Sequence, residues 1–204
     1  MRYTDRKVFN ITDMNQPAEG CTVSEKLMDD VTVFSLAAHT DISAERYTED
    51  TLVVVYSGHV IVKGKEMHAF DAMVIPAGTD FGLQAQEDTV LIEASVHQGN
   101  VTEELMHLND LAPYQGERIV NRDVVHGQNM KYAVLAFDKH TGLDEHSAPG
   151  NALVTALDGK GIIGYEGKEY PIQAGESFMF KKNGRHYVKA EDDKFRMSLL
   201  LNIR

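Results

Sequence analysis

The stretch "LDEHSAPGNALVTALDGKG", residues 143–161, decides the fold. Its second half is a short apolar run, Ala152 to Leu157, interrupted only by Thr155 and closed by the turn residues "DGKG". A run of this length bounded by turn signals reads as a strand entering a tight turn, being too short for a buried helix. The reading continues outward. "NALVTALDGKGIIGYEGKEY" (151–170) reads as strand, turn, strand, turn, and "SFMFKKNG" (177–184) as a further strand ending in a turn.

The same order occurs earlier in the chain. Displaced by 101 residues, "AAHTDIS" (37–43) falls on "DKHTGLD" (138–144), so His39 meets His140 and Thr40 meets Thr141. Leu52 and Val53 then meet Leu153 and Val154, and Gly58 meets Gly159. Two extra residues bring "GKE" at 64–66 onto "GKE" at 167–169, and two more bring "LQAQEDTVLIEA" (83–94) onto "VKAEDDKFRMSL" (188–199). A shared order of strands and turns, broken only at turns, is the mark of an internal duplication. The expectation is an all-β chain of two tandem units, residues 1–100 and 101–204, with "VFNITDM" and "HLNDLAP" as equivalent lead-ins. Each lead-in strand is expected to pair with the other half's sheet, because bare edges invite covering. Pro113 and Gly116 prevent a long helix between the copies.

Composition bounds the function. The chain has 204 residues, 43% hydrophobic and 25% charged, an ordinary globular composition. A net charge of −11 argues against a basic nucleic-acid footprint, so no nucleic-acid partner is expected. No run approaches the roughly 18 apolar residues of a membrane span, and "MRYTDRKVFN" lacks a signal-peptide core. The single cysteine, Cys21, fits a reducing compartment, and cytoplasm is the expected location. "TLVVVY" (51–56) has more consecutive apolar residues than a strand wet on one side, which points to a companion unit or a homodimer.

The stretches "HSAPGNALVTALDG", "GKEYPIQAGESFMF" and "NGRHYVKAEDDKFRMSLLLN" resemble the cupins, small jelly-roll barrels, over most of residues 132–202. The first copy matches the outline over 32–96 and includes the turn "VIPAG". The resemblance implies a bicupin, two tandem barrels. It also implies a metal site of two histidines two apart on one strand, a Glu or Gln four residues on, and a third histidine in the second motif. Side chains two apart face the same way along a strand, so such a pair aims both imidazoles inward. Three imidazoles and a carboxylate suit Zn, Fe, Mn or Ni. Carried onto this chain, the positions are His146, Ala148, Ala152 and His186, so two of four ligands survive. The first-copy equivalents are Glu45, Tyr47, Thr51 and Phe81, and that barrel is expected to be structural. Its space should be filled by Phe81, with Glu45 bridged to Arg46 or Lys63.

His146 and His186 are therefore the candidate catalytic and metal-binding residues, with Asn151, Asp144 or Glu145 as nearby supplements. Ala148 and Ala152 should leave volume for a bound molecule. His39 and His140 are expected to serve turns, while His59, His68, His97, His107 and His126 read as scattered and exposed. No G-x-S-x-G, P-loop or G-x-G-x-x-G context supports serine hydrolysis, nucleotide hydrolysis or dinucleotide chemistry. Two functions stay open. One is a metal-assisted isomerase, lyase or oxygenase acting on a small polar metabolite such as a sugar acid, keto acid or phenolic. The other is a metal-free binding or sensing protein.

Overall fold

The computed structural model describes residues 6–203. They gather into two compact units, Ile11–His107 and residues 6–10 with 108–203. Every strand pair joins antiparallel neighbours.

The first unit runs β1 (Thr22–Met28), β2 (Val31–Leu36), β3 (Asp41–Arg46), β4 (Asp50–Ser57) and β5 (His59–Val62). It continues with β6 (Lys65–His68), β7 (Asp71–Ile75), β8 (Asp80–Ala85), β9 (Thr89–Val96) and β10 (Glu104–His107). One sheet has the order β1-β2-β9-β4-β7-β10 and the other β3-β8-β5-β6. Val53, Val55, Met73 and Leu91 of the first sheet pack with Val60, Val62, Met67 and Phe81 of the second, so the core lies between the sheets. The apolar run in β4 is buried at every position from Asp50 to Tyr56. Ile11, itself fully buried, belongs to a short helical turn lying against β4.

The second unit begins with α1 (Leu108–Leu111), then β11 (Ile119–His126), β12 (Met130–Phe137), β13 (Gly142–Ser147) and β14 (Asn151–Tyr165). It ends with β15 (Lys168–Gln173), β16 (Ser177–Phe180), β17 (Arg185–Lys189) and β18 (Phe195–Asn202). Its pairings repeat those of the first unit: β12-β18-β14-β16 corresponds to β2-β9-β4-β7, and β13-β17-β14-β15 to β3-β8-β5-β6. The difference is continuity. Strand β14 runs unbroken through the position where Gly58 separates β4 from β5. Gly58 and Gly159 both hold positive φ, 85° and 71°, and a Cβ there would run into the carbonyls of Asp88 and Lys194. Only glycine fits such a left-handed, close-approach position.

The lead-ins pair away from the repeats they precede. Strand β10 pairs with β7 and ends at His107, the first residue of the expected lead-in, which continues as the helix Leu108–Leu111 rather than as a strand. Phe9, ahead of the first repeat, exchanges two backbone hydrogen bonds with Ser177 of β16, the strand equivalent to β7. Both edges are thereby covered, which blunts their capacity to recruit another chain. Among the described residues no helix is long and apolar enough to cross a membrane.

Candidate functional site

In the second unit the sheet register sets three side chains in one row. His146 of β13 lies opposite His186 of β17, and His186 opposite Tyr165 of β14. Directly opposed residues on antiparallel strands share a face. His186, Tyr165 and Val188 are all buried, so that face is the interior. His146 is on the same side but exposed, at the rim. The two imidazoles stand 4.4 Å apart between ring centres, tilted by 55°. The irregular step that brings His146 into register lies between Leu143 and His146, inside β13. The same step occurs between Ile42 and Glu45.

Both rings are fixed by their own strands. His146 Nδ1 is 2.8 Å from the carbonyl of Asp144, and His186 Nδ1 is 2.9 Å from that of Gly184. A carbonyl oxygen only accepts, so each Nδ1 carries the proton and donates. In the neutral ring Nε2 then bears the lone pair, the tautomer in which histidine ligates a metal or accepts a proton. Burial holds the His186 pKa below the usual histidine range, and neighbouring His146 adds to the depression. The lowered pKa favours the neutral form of His186 near pH 7.

The space around the pair departs from the sequence expectation. Ala152 lies opposite Phe180, and the Phe180 ring stacks on His186 at 4.0 Å and 18°. Tyr165 and Phe178 complete an aromatic cluster with Phe180. The volume released by alanine at position 152 is thus taken up by phenylalanine. Two of the three supplementary ligands are engaged elsewhere. Asn151 Oδ1 accepts from the Lys182 amide, and Glu145 pairs with Arg185. A cleft of about 480 Å³ opens elsewhere in the unit, lined among others by Lys160, Pro171, Glu176 and Asp193, and neither histidine lines it.

The first unit repeats the geometry with other chemistry. Glu45 lies opposite Phe81 as His146 lies opposite His186. Phe81 is buried and stacks on Tyr47 at 4.5 Å, filling the interior as the sequence suggests. The expected bridge from Glu45 to Arg46 or Lys63 does not form, because Arg46 pairs with Asp80 and Lys63 with Glu103. Glu93, which no motif flagged, is buried on this inner face opposite Val53 and bonded to the Tyr47 hydroxyl. Burial pushes its pKa up to about 7, against the opposing pull of that hydrogen bond. Tyr47 is in turn pushed to about 12, chiefly by its own burial and then by Glu93.

The expected turn role of His39 and His140 matches their geometry. Both hold positive φ, 63° and 61°, and Thr40 and Thr141 close the turns with equivalent hydroxyl hydrogen bonds of 2.7 Å. The reading of His59 and His68 as scattered needs correction. They lie opposite one another across the β5–β6 hairpin, rings 4.3 Å apart, with His59 half-buried. Glu66 completes a group whose ligand atoms all fall within 4.8 Å of one another. The signal was present. Lys63-Gly64 is a two-residue turn, and counting outward from Val62 and Lys65 pairs residue 59 with 68.

Residues 133–203 match the cupin domain family. The fold is similar to that of a cupin 2 conserved barrel domain protein from Leptotrichia buccalis, 28% identical, with a TM-score of 0.89 over 99% of each chain. It is also similar to Lactobacillus farciminis oxalate decarboxylase in a formate complex, 12% identical, TM-score 0.64, over 99% of this chain and 87% of the other. Bacillus subtilis oxalate decarboxylase, described with Mn(II) centres, is 12% identical with a TM-score of 0.60, over 99% of this chain and 78% of the other. A search of curated proteins returns no match.

Proposed function

From a chain with the all-β cupin jelly-roll fold and a cupin domain over residues 133–203, we propose a bicupin that binds a small polar metabolite. The two contact units are its two barrels, and the second carries the site, where His146 and His186 hold a divalent first-row metal. One observation carries this reading: two neighbouring imidazoles, 4.4 Å apart, each hydrogen-bonded through Nδ1 to a carbonyl and so presenting a lone pair at Nε2. That donor pair suits Mn, Fe, Ni or Zn at two positions. The four-ligand set of a metal-dependent cupin does not fit, because Ala148 and Ala152 offer no donor atoms. The remaining positions fall to water and to a carboxylate, carbonyl or phenolic oxygen of the ligand.

A second reading, metal-free binding by the same two histidines, is favoured by Phe180, which occupies the space opposite Ala152. Elemental analysis and Co²⁺ titration of untagged protein separate the two. The metal reading expects one equivalent of ion in a His68→Ala background, abolished by His186→Ala. No ion, but a thermal shift with sugar acids, keto acids or phenolics that His186→Ala removes, gives the metal-free reading. Neither response sinks both. We also propose a homodimer; β4 is buried within the chain from Asp50 to Tyr56, so this proposal rests on no exposed apolar strand, and light scattering at micromolar concentration should give twice the chain mass.

A further inference from the structure

We propose a second, independent metal site on the first unit, in which His59, Glu66 and His68 hold one divalent transition ion on the outer face of the β5–β6 hairpin. The hairpin is built to place them. Lys63 and Gly64 both hold positive φ, 51° and 74°, a two-residue turn that fixes the register residue by residue. Val60, Val62 and Met67 face the core, so the alternate residues His59, Glu66 and His68 share the outer face. Counting from the hydrogen-bonded pair beside the turn, His59 and His68 fall at a non-hydrogen-bonded position, where opposed side chains approach most closely.

Three further observations point to an ion. The ligand atoms all lie within 4.8 Å of one another, close to the roughly 4 Å that two metal–ligand bonds near 2.0–2.2 Å can span. The His59 Nε2 is buried and has no hydrogen-bond partner, and a buried polar atom left unpaired is destabilising. Coordination would give that nitrogen a partner. The end of the hairpin is also anchored from behind: Asp71 accepts from the His68 amide at 2.8 Å and binds His107 Nδ1 at 2.5 Å. Two imidazoles and one carboxylate select Zn²⁺, Ni²⁺, Co²⁺ or Fe²⁺ over the all-oxygen ions Mg²⁺ and Ca²⁺. The second unit has no counterpart. There the hairpin places Ile162 opposite Pro171, and the equivalent Glu169 is bonded to Tyr187 and Lys189.

The test uses the full chain, stripped of metal by a chelator. Titration with Co²⁺, followed by visible absorbance, and with Zn²⁺, followed by calorimetry, should show one more equivalent in the wild type than in His68→Ala. That difference holds whether or not the His146–His186 pair binds an ion, so this site and the proposed function fail separately. Glu66→Gln should keep the equivalent but weaken it, and His68→Ala should weaken the site by more than about 100-fold, beyond the loss typical of outer-shell changes. Zn²⁺ should raise the melting temperature of the wild type and not that of His68→Ala by the same amount, while millimolar Mg²⁺ should not displace it. Both substituted residues are exposed, so folding is preserved. Equal stoichiometry in wild type and His68→Ala, or competition by Mg²⁺, overturns the proposal.

Discussion

The two units share one frame of strand pairing and bury opposite titratable groups in it. Where the second unit places His186 against Phe180, the first places Phe81 against Tyr47, and on β9 of the facing sheet it buries Glu93. Burial disfavours the charged form in both cases, which lowers the imidazole pKa and raises the carboxyl pKa. The lesson is that the frame is set by register and glycine positions, while the chemistry is set by a few inward side chains that can change without disturbing it. Both interiors solve the same packing problem with an aromatic ring.

The largest effect should come from removing that ring. Phe180 is fully buried, and Phe180→Ala is expected to cost about 3–5 kcal/mol in urea unfolding, the range for large-to-small core changes. It should also admit water beside Ala152 and move the His186 pKa back toward the ordinary range, read by NMR of the ring. Phe81→Ala in the first unit should match it in stability. A cost for Phe180→Ala below about 1 kcal/mol would mean that the second interior is already open.

Next in size is Glu93. Its pKa lies near 7 in the folded chain against 4.5 unfolded, so the folded state holds the proton more tightly. Stability from this group is present below pH 4.5 and lost as pH rises through about 7. At 1.36 kcal/mol per unit, the loss by pH 8 is about 3 kcal/mol. Glu93→Gln should therefore stabilise the chain by about that amount at pH 8 and by little at pH 4. His186 works in the other sense. Its folded pKa is depressed below 6.5, so stability is full above that value and falls as pH drops through the folded pKa. His186→Gln should flatten the acid limb of the stability profile, while Glu93→Gln flattens the alkaline one. Identical limbs in wild type and both variants would remove the contrast between the units.

Much of this was legible in the sequence. The strands, the repeat and the turn role of His39 and His140 follow from periodicity and from counting along the two copies, while positions 45, 81, 146 and 186 were named by the cupin resemblance. What escaped was set by partners distant in the chain. Phe180 reaches His186 only because β16 lies opposite the start of β14, a pairing that no local pattern announces. Glu93 sits in "VLIEAS", where one carboxylate in an apolar run reads as a solvent-facing residue until its cross-strand neighbour Val53 is known. Arg46 lies beside Glu45 in sequence yet turns to Asp80, because adjacent residues on a strand face opposite ways. His59 and His68 were within reach, since the Lys-Gly turn fixes their pairing, but nine residues of separation hide a cross-strand pair from a linear scan.

The smallest predicted effect tests where the units should be the same. Thr40 and Thr141 each donate a hydroxyl hydrogen bond of 2.7 Å to the carbonyl three residues back, Ala37 in one turn and Asp138 in the other. Each follows a histidine held at positive φ, and both hydroxyls are half-buried. Thr→Val keeps the shape and removes the hydroxyl donor, while the backbone amide of the same residue still donates to that carbonyl, at a cost of about 1 kcal/mol. Because the two turns agree in dihedral, distance and burial, Thr40→Val and Thr141→Val should agree within about 0.5 kcal/mol, and the double variant should show their sum. Urea unfolding of the three variants checks this. A difference of more than about 1 kcal/mol between the singles would show that the duplicated turns carry unequal load, and that the divergence of the two units extends from their interiors into the frame itself.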